Sequence, residues 1–243
     1  MSAQLTDDNA RAIAANPAQS VADTASRFLR EFSAAAASRG YQLDDDNRQL
    51  VDDMSSAVST AMSLASQASR KSAAILADDT LYPEGRNRLA SEATEEARRK
   101  VAEAFDVFDT NYTIAEATLY ETARPKVDRH SQAAARQDAM MLLDGMLNGE
   151  GASTSRVLQR LAGRQDAVGA LVASEWLQDY GMARGMSQGV LEASQTLIRQ
   201  AALEGAADSG DPERVAAART ALALPSLRQA QVSARTFVGL ALR

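Results

Sequence analysis

Alanine dominates the apolar part of this sequence. Of 243 residues 50 are Ala, whereas all hydrophobic types together make up 45% and aromatic residues only 5%. Alanine has the best helix propensity and buries little surface per side chain. We therefore expect helices that pack at close range rather than a thick core of large side chains. No segment alternates between apolar and polar residues, so we predict an all-α fold with more than about 65% helix and almost no strand.

The clearest helical pattern lies between residues 45 and 77. Apolar and small residues recur there in steps of three and four: Val51, Met54, Val58, Ala61, Ala65, Ala68, Ser72 and Ile75. This period of about 3.5 residues is typical of the contact line of a coiled coil. We call this line the seam. Its side chains are mostly small, so a partner helix must come close, either from the same chain or from another one.

A second long stripe follows a predicted turn at residues 78–85. It comprises Leu89, Ala93, Ala97, Val101, Phe105, Phe108, Tyr112, Ala115 and Leu119, with a helical period. Residues 45–77 and 84–123 are therefore predicted to be two long helices. They form either an antiparallel, coiled-coil-like hairpin or part of a bundle between chains.

Proline and glycine suggest how the rest is divided. Eleven of the 13 glycines lie at or beyond residue 145, and the cluster at 145–151 predicts a hinge. We accordingly expect an N-terminal tail (1–16), a long-helix region (17–148) and a region of shorter helices (149–243). The first region begins with a helix at 17–39 and ends with one at 127–147 that buries Ala134, Met140, Met141, Leu143 and Leu147. The predicted shorter helices are 154–162, 165–180, 186–204, 212–223 and 226–241.

Composition excludes several classes of function. A net charge of −6 and a pI near 5.0 argue against specific binding to nucleic acid. The absence of cysteine excludes disulfides and thiolate chemistry. No apolar run approaches the length of a membrane span, and residues 1–16 show no secretory signal. The expected compartment is the cytoplasm, or an assembly built there.

The candidate catalytic and metal-binding residues favour ordinary roles. His130, the single histidine, lies in a polar helical segment with no nucleophile pattern beside it. The acidic residues 44–46, 52 and 53 lack the central glycine of a calcium loop, so they are interpreted as the start of a helix. Gly181, Gly185 and Gly189 are interpreted as a loop rather than as one face of a helix. We predict no enzyme activity, no cofactor and no metal.

The C-terminal stretch 212–243 reverses the charge of the chain. It carries five Arg and one Glu, a net charge of +4 (5 − 1), so the other 211 residues carry −10 (−6 − 4). The predicted partner-binding residues are Arg228, Val232, Arg235, Phe237, Val238 and Leu242. A basic amphipathic helix of this kind is suited to an acidic protein surface. The alternative, a solvated face over a locally buried stripe, stays open.

Residues 81–86 (LYPEGR), 88–93 (RLASEA) and the charged helix at 95–103 carry a family resemblance. They resemble helical morphogenesis proteins encoded beside the capsid gene of tailed bacteriophages, in which a Leu-Ser-Pro-Glu-Gly-like turn opens a long charged helix. Tyr82 stands here in place of the usual Ser, and the similarity covers roughly residues 80–125. A basic C-terminal helix on an acidic body is also similar to scaffolding proteins, which dock on coat protein through such an end.

The resemblance implies a structural or assembly role in a phage particle, as a scaffold, minor head protein or connector component. The implied partners are coat, portal or other virion subunits and further copies of the chain. The implied location is the bacterial host cytoplasm during assembly and then the virion. The alternative is a cytoplasmic helical adaptor or chaperone with no virion role.

Overall fold

The computed structural model describes residues 16–37, 43–127, 129–144 and 151–243. These residues form nine α-helices and no strand, and 85% of them are helical, which confirms the all-α prediction. The helices are α1 (Pro17–Ala36), α2 (Asp45–Leu76), α3 (Pro83–Ala123), α4 (Arg129–Asp144), α5 (Gly151–Ala162), α6 (Ala167–Val172), α7 (Trp176–Ala183), α8 (Gln188–Ala207) and α9 (Pro212–Ala241).

The chain forms two compact units that interleave along the sequence. The first comprises Met1–Ala34, Arg48–Ala115 and Leu224–Arg243, and the second comprises Ala35–Asn47 and Glu116–Ala223. The boundary expected near residue 149 therefore lies inside the second unit. The long helices α2, α3 and α9 each contribute residues to both units, so a boundary chosen from changes in composition does not coincide with the division in space.

In the first unit α2 and α3 form an antiparallel hairpin. The seam is buried from Val51 to Ala68, as predicted. Ala65 and Ala68 share a core cluster with Ala97 of α3, and a short turn joins the two helices. The partner of the seam is therefore a helix of the same chain.

Helices α9 and α1 complete the first unit. Phe237 and Leu242, at the end of α9, belong to the same cluster. The residues of α1 that pack against it are Ala18, Val21 and Ala22. Helix α9 runs antiparallel to α3, because Arg98 of α3 donates to the carbonyl oxygen of Leu242 while Asp109 meets Arg228 and Arg235, earlier in α9.

The small residues of the seam should tolerate no enlargement. Ala61 and Ala65 are fully buried. Replacing either with Leu should overpack the seam and lower the free energy of unfolding by about 1–3 kcal/mol. Urea unfolding of the two variants measures the effect, with Ala73→Leu as a control at an exposed position of the same helix. Unchanged midpoints for both seam variants would contradict the close packing.

The second unit has a core of larger side chains. Its buried residues are Ala139, Leu143, Leu158, Leu161, Ala162, Val168, Val172, Ala173, Leu177, Ile198 and Ala202. Helix α5 packs against α8, and α4 and α5 both pack against α6. The hydroxyl of Tyr120 donates to the carbonyl oxygen of Ala173 at 2.8 Å, which connects the end of α3 to this core.

The helix predicted at 165–180 is two helices, α6 and α7. Asp166 caps α6 by accepting from the backbone amide of Gly169 at 3.0 Å. Ser174 ends it: its hydroxyl donates to the carbonyl oxygen of Leu171 at 2.7 Å and accepts from the amide of Trp176 at 3.3 Å. A serine that bonds locally to the backbone competes with the helical hydrogen bonds, and its position alone does not reveal this.

The predicted buried side of α4 is wrong in part. Ala135, Ala139 and Leu143 are buried, whereas Ala134 is exposed and Met140 and Met141 are 38% and 69% exposed. Residues four apart share a helical face, and here the face with the smaller side chains packs against α6. Leu147 lies outside the described residues.

The C-terminal helix is continuous, whereas the sequence predicted a break near residue 225. Pro225 lies inside α9 and removes one helical hydrogen bond. Its ring is on the exposed side, while Leu224 and Leu227 on either side of it are buried. The helix therefore continues through the proline with its apolar side packed on both sides of it.

Within the described parts of the chain, no helix is both long and apolar enough to cross a membrane.

Candidate docking surfaces

Three of the six predicted partner-binding residues belong to the core of the first unit. Phe237 and Leu242 are 7% and 3% exposed, and Val238 packs partly buried against the same cluster. The small residues Ala65, Ala68 and Ala97 leave the space that Phe237 fills. These three residues are therefore not available to a partner, and the alternative of a locally buried stripe holds for them.

The two arginines of the predicted surface bind one carboxylate of α3. Arg228 donates to Asp109, and the Nη2 of Arg235 donates to the same side chain at 2.7 Å. Gln231, which is buried, adds a hydrogen bond from its Nε2 at 3.1 Å. Two guanidinium groups therefore share a single carboxylate.

Aromatic rings of α3 hold the same guanidinium groups in place. The guanidinium of Arg235 lies 4.7 Å from the ring centre of Phe105, and that of Arg228 lies 5.2 Å from the ring centre of Tyr112. Both distances are within the range of a cation–π contact. The side chains of Arg228 and Arg235 nevertheless remain 43% and 49% exposed, respectively.

Val232, the remaining one of the six predicted residues, is 48% exposed. It lies on α9 between Arg228 and Arg235, one turn of the helix from each. We call these three residues the basic face. It is the part of the predicted docking surface that a partner can reach.

A second exposed surface, at the turn of the α2–α3 hairpin, was not predicted. Between the buried Ala68 and Ala90 no residue is buried. This stretch, residues 69–89, is called the hairpin tip. It exposes Leu76 (47%), Tyr82 (87%) and Leu89 (37%). From Ala68, the last buried residue of α2, to the end of that helix at Leu76 is about 12 Å, at 1.5 Å per residue. The hairpin therefore extends well past its buried part.

Local hydrogen bonds order the hairpin tip. Asp78 accepts from the hydroxyl of Thr80 at 2.6 Å and from its amide at 2.9 Å. Arg86 donates to the carbonyl oxygen of Leu76 at 3.3 Å and to Asp79 at 3.1 Å. These bonds hold together the turn that carries Tyr82.

The hydrogen bonds from the Thr80 side chain and backbone hold the pKa of Asp78 below its ordinary value. The carboxylate of Asp78 thus stays charged in mildly acidic solution. The stabilisation of the turn by this side chain is fully present above the ordinary carboxyl pKa. It is lost as the pH falls through the lowered pKa.

The acidic residues at 44–46 start α2, as predicted. Asp44 accepts from the amide of Asn47 at 2.9 Å and from its Nδ2 at 2.7 Å, which is the geometry of a helix N-cap. Asn47 is buried and accepts from the hydroxyl of Thr118 at 2.6 Å.

The described residues contain no cluster of three or more acidic or His side chains arranged to hold a metal ion. His130 is exposed on α4.

The glycines at 181–189 do not share one helical face. Gly181 is buried in α7, Gly185 has a φ of +82° just beyond the end of that helix, and Gly189 lies in the first turn of α8. A positive φ is the usual reason for glycine after a helix end. The loop interpretation therefore holds around Gly185.

One titratable cluster in the second unit connects α4 and α7. Asp144 accepts from the hydroxyl of Tyr180 and, at 2.9 Å, from the Nη2 of Arg184. Trp176 stacks on Tyr180 with ring centres 5.0 Å apart. Burial, and then the hydrogen bond to Asp144, raise the pKa of Tyr180 above its ordinary value. This arrangement connects the two helices.

Comparison with known proteins gives no relative: no family model, no curated protein and no solved structure matches this chain.

Proposed function

We propose that this chain is a non-enzymatic structural or assembly protein of a tailed-phage particle that acts through helix-mediated protein contacts. The roles that fit are scaffold, minor head protein and connector component. Its partners would be coat, portal or other virion subunits and further copies of itself. It would act in the bacterial host cytoplasm during assembly and then in the virion.

The observation that carries this proposal is the hairpin tip. The tip exposes Leu76, Tyr82 and Leu89, which are apolar surface that a protein partner can bury. Exposed Tyr side chains are enriched among the residues that dominate binding energy at protein interfaces. The phage resemblance, at residues 80–125, begins in this tip.

Co-assembly tests the proposal. The full chain would be expressed together with coat and portal proteins of a tailed phage, and assembled complexes would be separated by sedimentation. We expect the chain to co-sediment with particles or with one of these subunits. We also expect particles formed without it to be fewer or irregular.

Two outcomes would contradict the proposal. One is particle assembly that is identical with and without the chain, together with no co-sedimentation. The other is stable binding to host proteins alone, which would favour the adaptor or chaperone alternative.

A further inference from the structure

Helix α1 is attached to the first unit by few apolar contacts. Of its 20 residues only Ala25 and Phe32 are buried. Ala18, Val21 and Ala22 pack partly buried against the core cluster of the unit. Phe32 is therefore the only large side chain of α1 that is buried, and it is the main anchor of this helix.

Polar bonds do not hold α1 in place either. Between described residues, the side-chain hydrogen bonds and the ion pair of α1 all lie within the helix or involve Asn16, the residue before it. By contrast, Arg98 of α3 donates to the carbonyl oxygen of Leu242, and Asp109 of α3 accepts from two arginines of α9. Polar bonds thus connect α3 with α9, whereas α1 depends on its apolar contacts alone.

A helix held in this way should open before the rest of the unit unfolds. Local opening is easiest where few apolar side chains are buried and few bonds reach other elements. The other three helices of the first unit contain large side chains that are fully buried, such as Met54, Phe108 and Leu227. We therefore expect α2, α3 and α9 to stay folded when α1 leaves.

We propose that α1 is an exchangeable arm, which leaves its own unit and binds the same seat on a second copy of the chain. The seat is the surface of the first unit on which Ala18, Val21 and Ala22 pack. Because every copy carries the same α1, each contact that α1 makes within its own chain is available between two chains. The exchange of an identical element is a low-cost route to dimers. This inference rests on the proposed function, in which further copies of the chain are partners.

The helix of the same chain competes for the seat with an advantage. It is covalently linked, so its effective concentration at the seat is high. Exchange between copies should therefore increase with protein concentration. It should also increase when the chain's own α1 is weakened while the seat stays intact.

Amide hydrogen exchange of the full-length chain measures the opening of α1. The amides of α1 should exchange at least about tenfold faster than those of the seam, with little dependence on low urea concentrations. Phe32→Ala should accelerate the exchange of α1 by about tenfold or more, because it removes the anchor, and should leave the seam protected. Arg30→Ala, at an exposed position of the same helix, is the matched control and should change neither rate.

A labelled peptide with the sequence of residues 16–37 tests the exchange between copies. It should bind to the full-length Phe32→Ala chain, because its own Phe32 ring fills the place that the variant helix leaves empty. Binding to the unaltered chain should be about tenfold weaker or more, since the intact α1 of that chain competes. A peptide with Phe32→Ala should also bind about tenfold more weakly. A peptide with Arg30→Ala should bind like the unaltered one.

Each contrary result overturns part of this inference. If α1 exchanges at the rate and with the urea dependence of the seam, or if Phe32→Ala also exposes the seam, then α1 opens only with the whole unit. A peptide that does not bind to the Phe32→Ala chain, or that binds equally well without its Phe32 ring, excludes exchange between copies. If the chain still co-sediments with coat or portal subunits in these cases, the proposed function stands and only this inference fails.

Discussion

A chain that ends at Leu224 is expected to lose the fold of the first unit. The deletion removes Leu227, Ala230 and Ala234, which are fully buried, and also Phe237 and Leu242. Shortening one large buried side chain to Ala costs about 2–5 kcal/mol. A whole domain is stable by only about 5–15 kcal/mol. Removing three large side chains together with a helix that packs along α3 should therefore exceed the stability of the unit.

Far-UV circular dichroism during urea unfolding measures this loss. The truncated chain should lose more helical signal than the deleted residues alone contribute. Its urea unfolding curve should lack the transition of the first unit. Removal of Arg243 alone, which is exposed, is the control and should leave unfolding unchanged. If α9 were only a docking element, as the sequence also allowed, the truncated chain would keep the rest of its helix and its unfolding midpoint.

Much of the fold follows from the sequence because the helices are long and periodic. Repeats such as the seam predict both the helix and its buried side, and Val51 to Ala68 are buried as expected. Predictions fail where the periodic signal is short or ambiguous. The polar contacts of Ser174 and the packing around Pro225 depend on the folded structure, so neither the division between α6 and α7 nor the continuity of α9 could be inferred from residue type.

The docking surfaces were less predictable, for a related reason. Leu89 continues the apolar stripe of α3 but is exposed, because none of the helices described in the first unit covers the hairpin there. Phe237 and Leu242 were assigned to a docking surface, although the alanines of the seam leave room for them in the core. Periodicity shows which side of a helix is apolar. It does not show whether the chain or a partner covers that side.

Gly205 is expected to be the most sensitive glycine of α8. A Cβ atom at this position would clash with the carbonyl oxygen of Gly163 and with the side chain of Gln165. Gly163 follows the end of α5, so the backbones of α5 and α8 approach closely here. Since a carbonyl oxygen of the backbone cannot move aside as a flexible side chain can, Gly205→Ala should force the two helices apart. Overpacking of this kind costs about 1–3 kcal/mol, and occasionally more.

Gly189, in the same helix, provides the matched control because a Cβ atom there meets nothing within 4 Å. Gly189→Ala should stabilise α8 by up to about 1 kcal/mol, since alanine has the better helix propensity. The two variants should then differ by about 1–4 kcal/mol in the free energy of unfolding. The fluorescence of Trp176, the only tryptophan, reports on the second unit because this side chain packs against its core. Equal unfolding midpoints for the two variants would show that α5 and α8 do not approach at Gly205, because open space there would make both substitutions equally harmless.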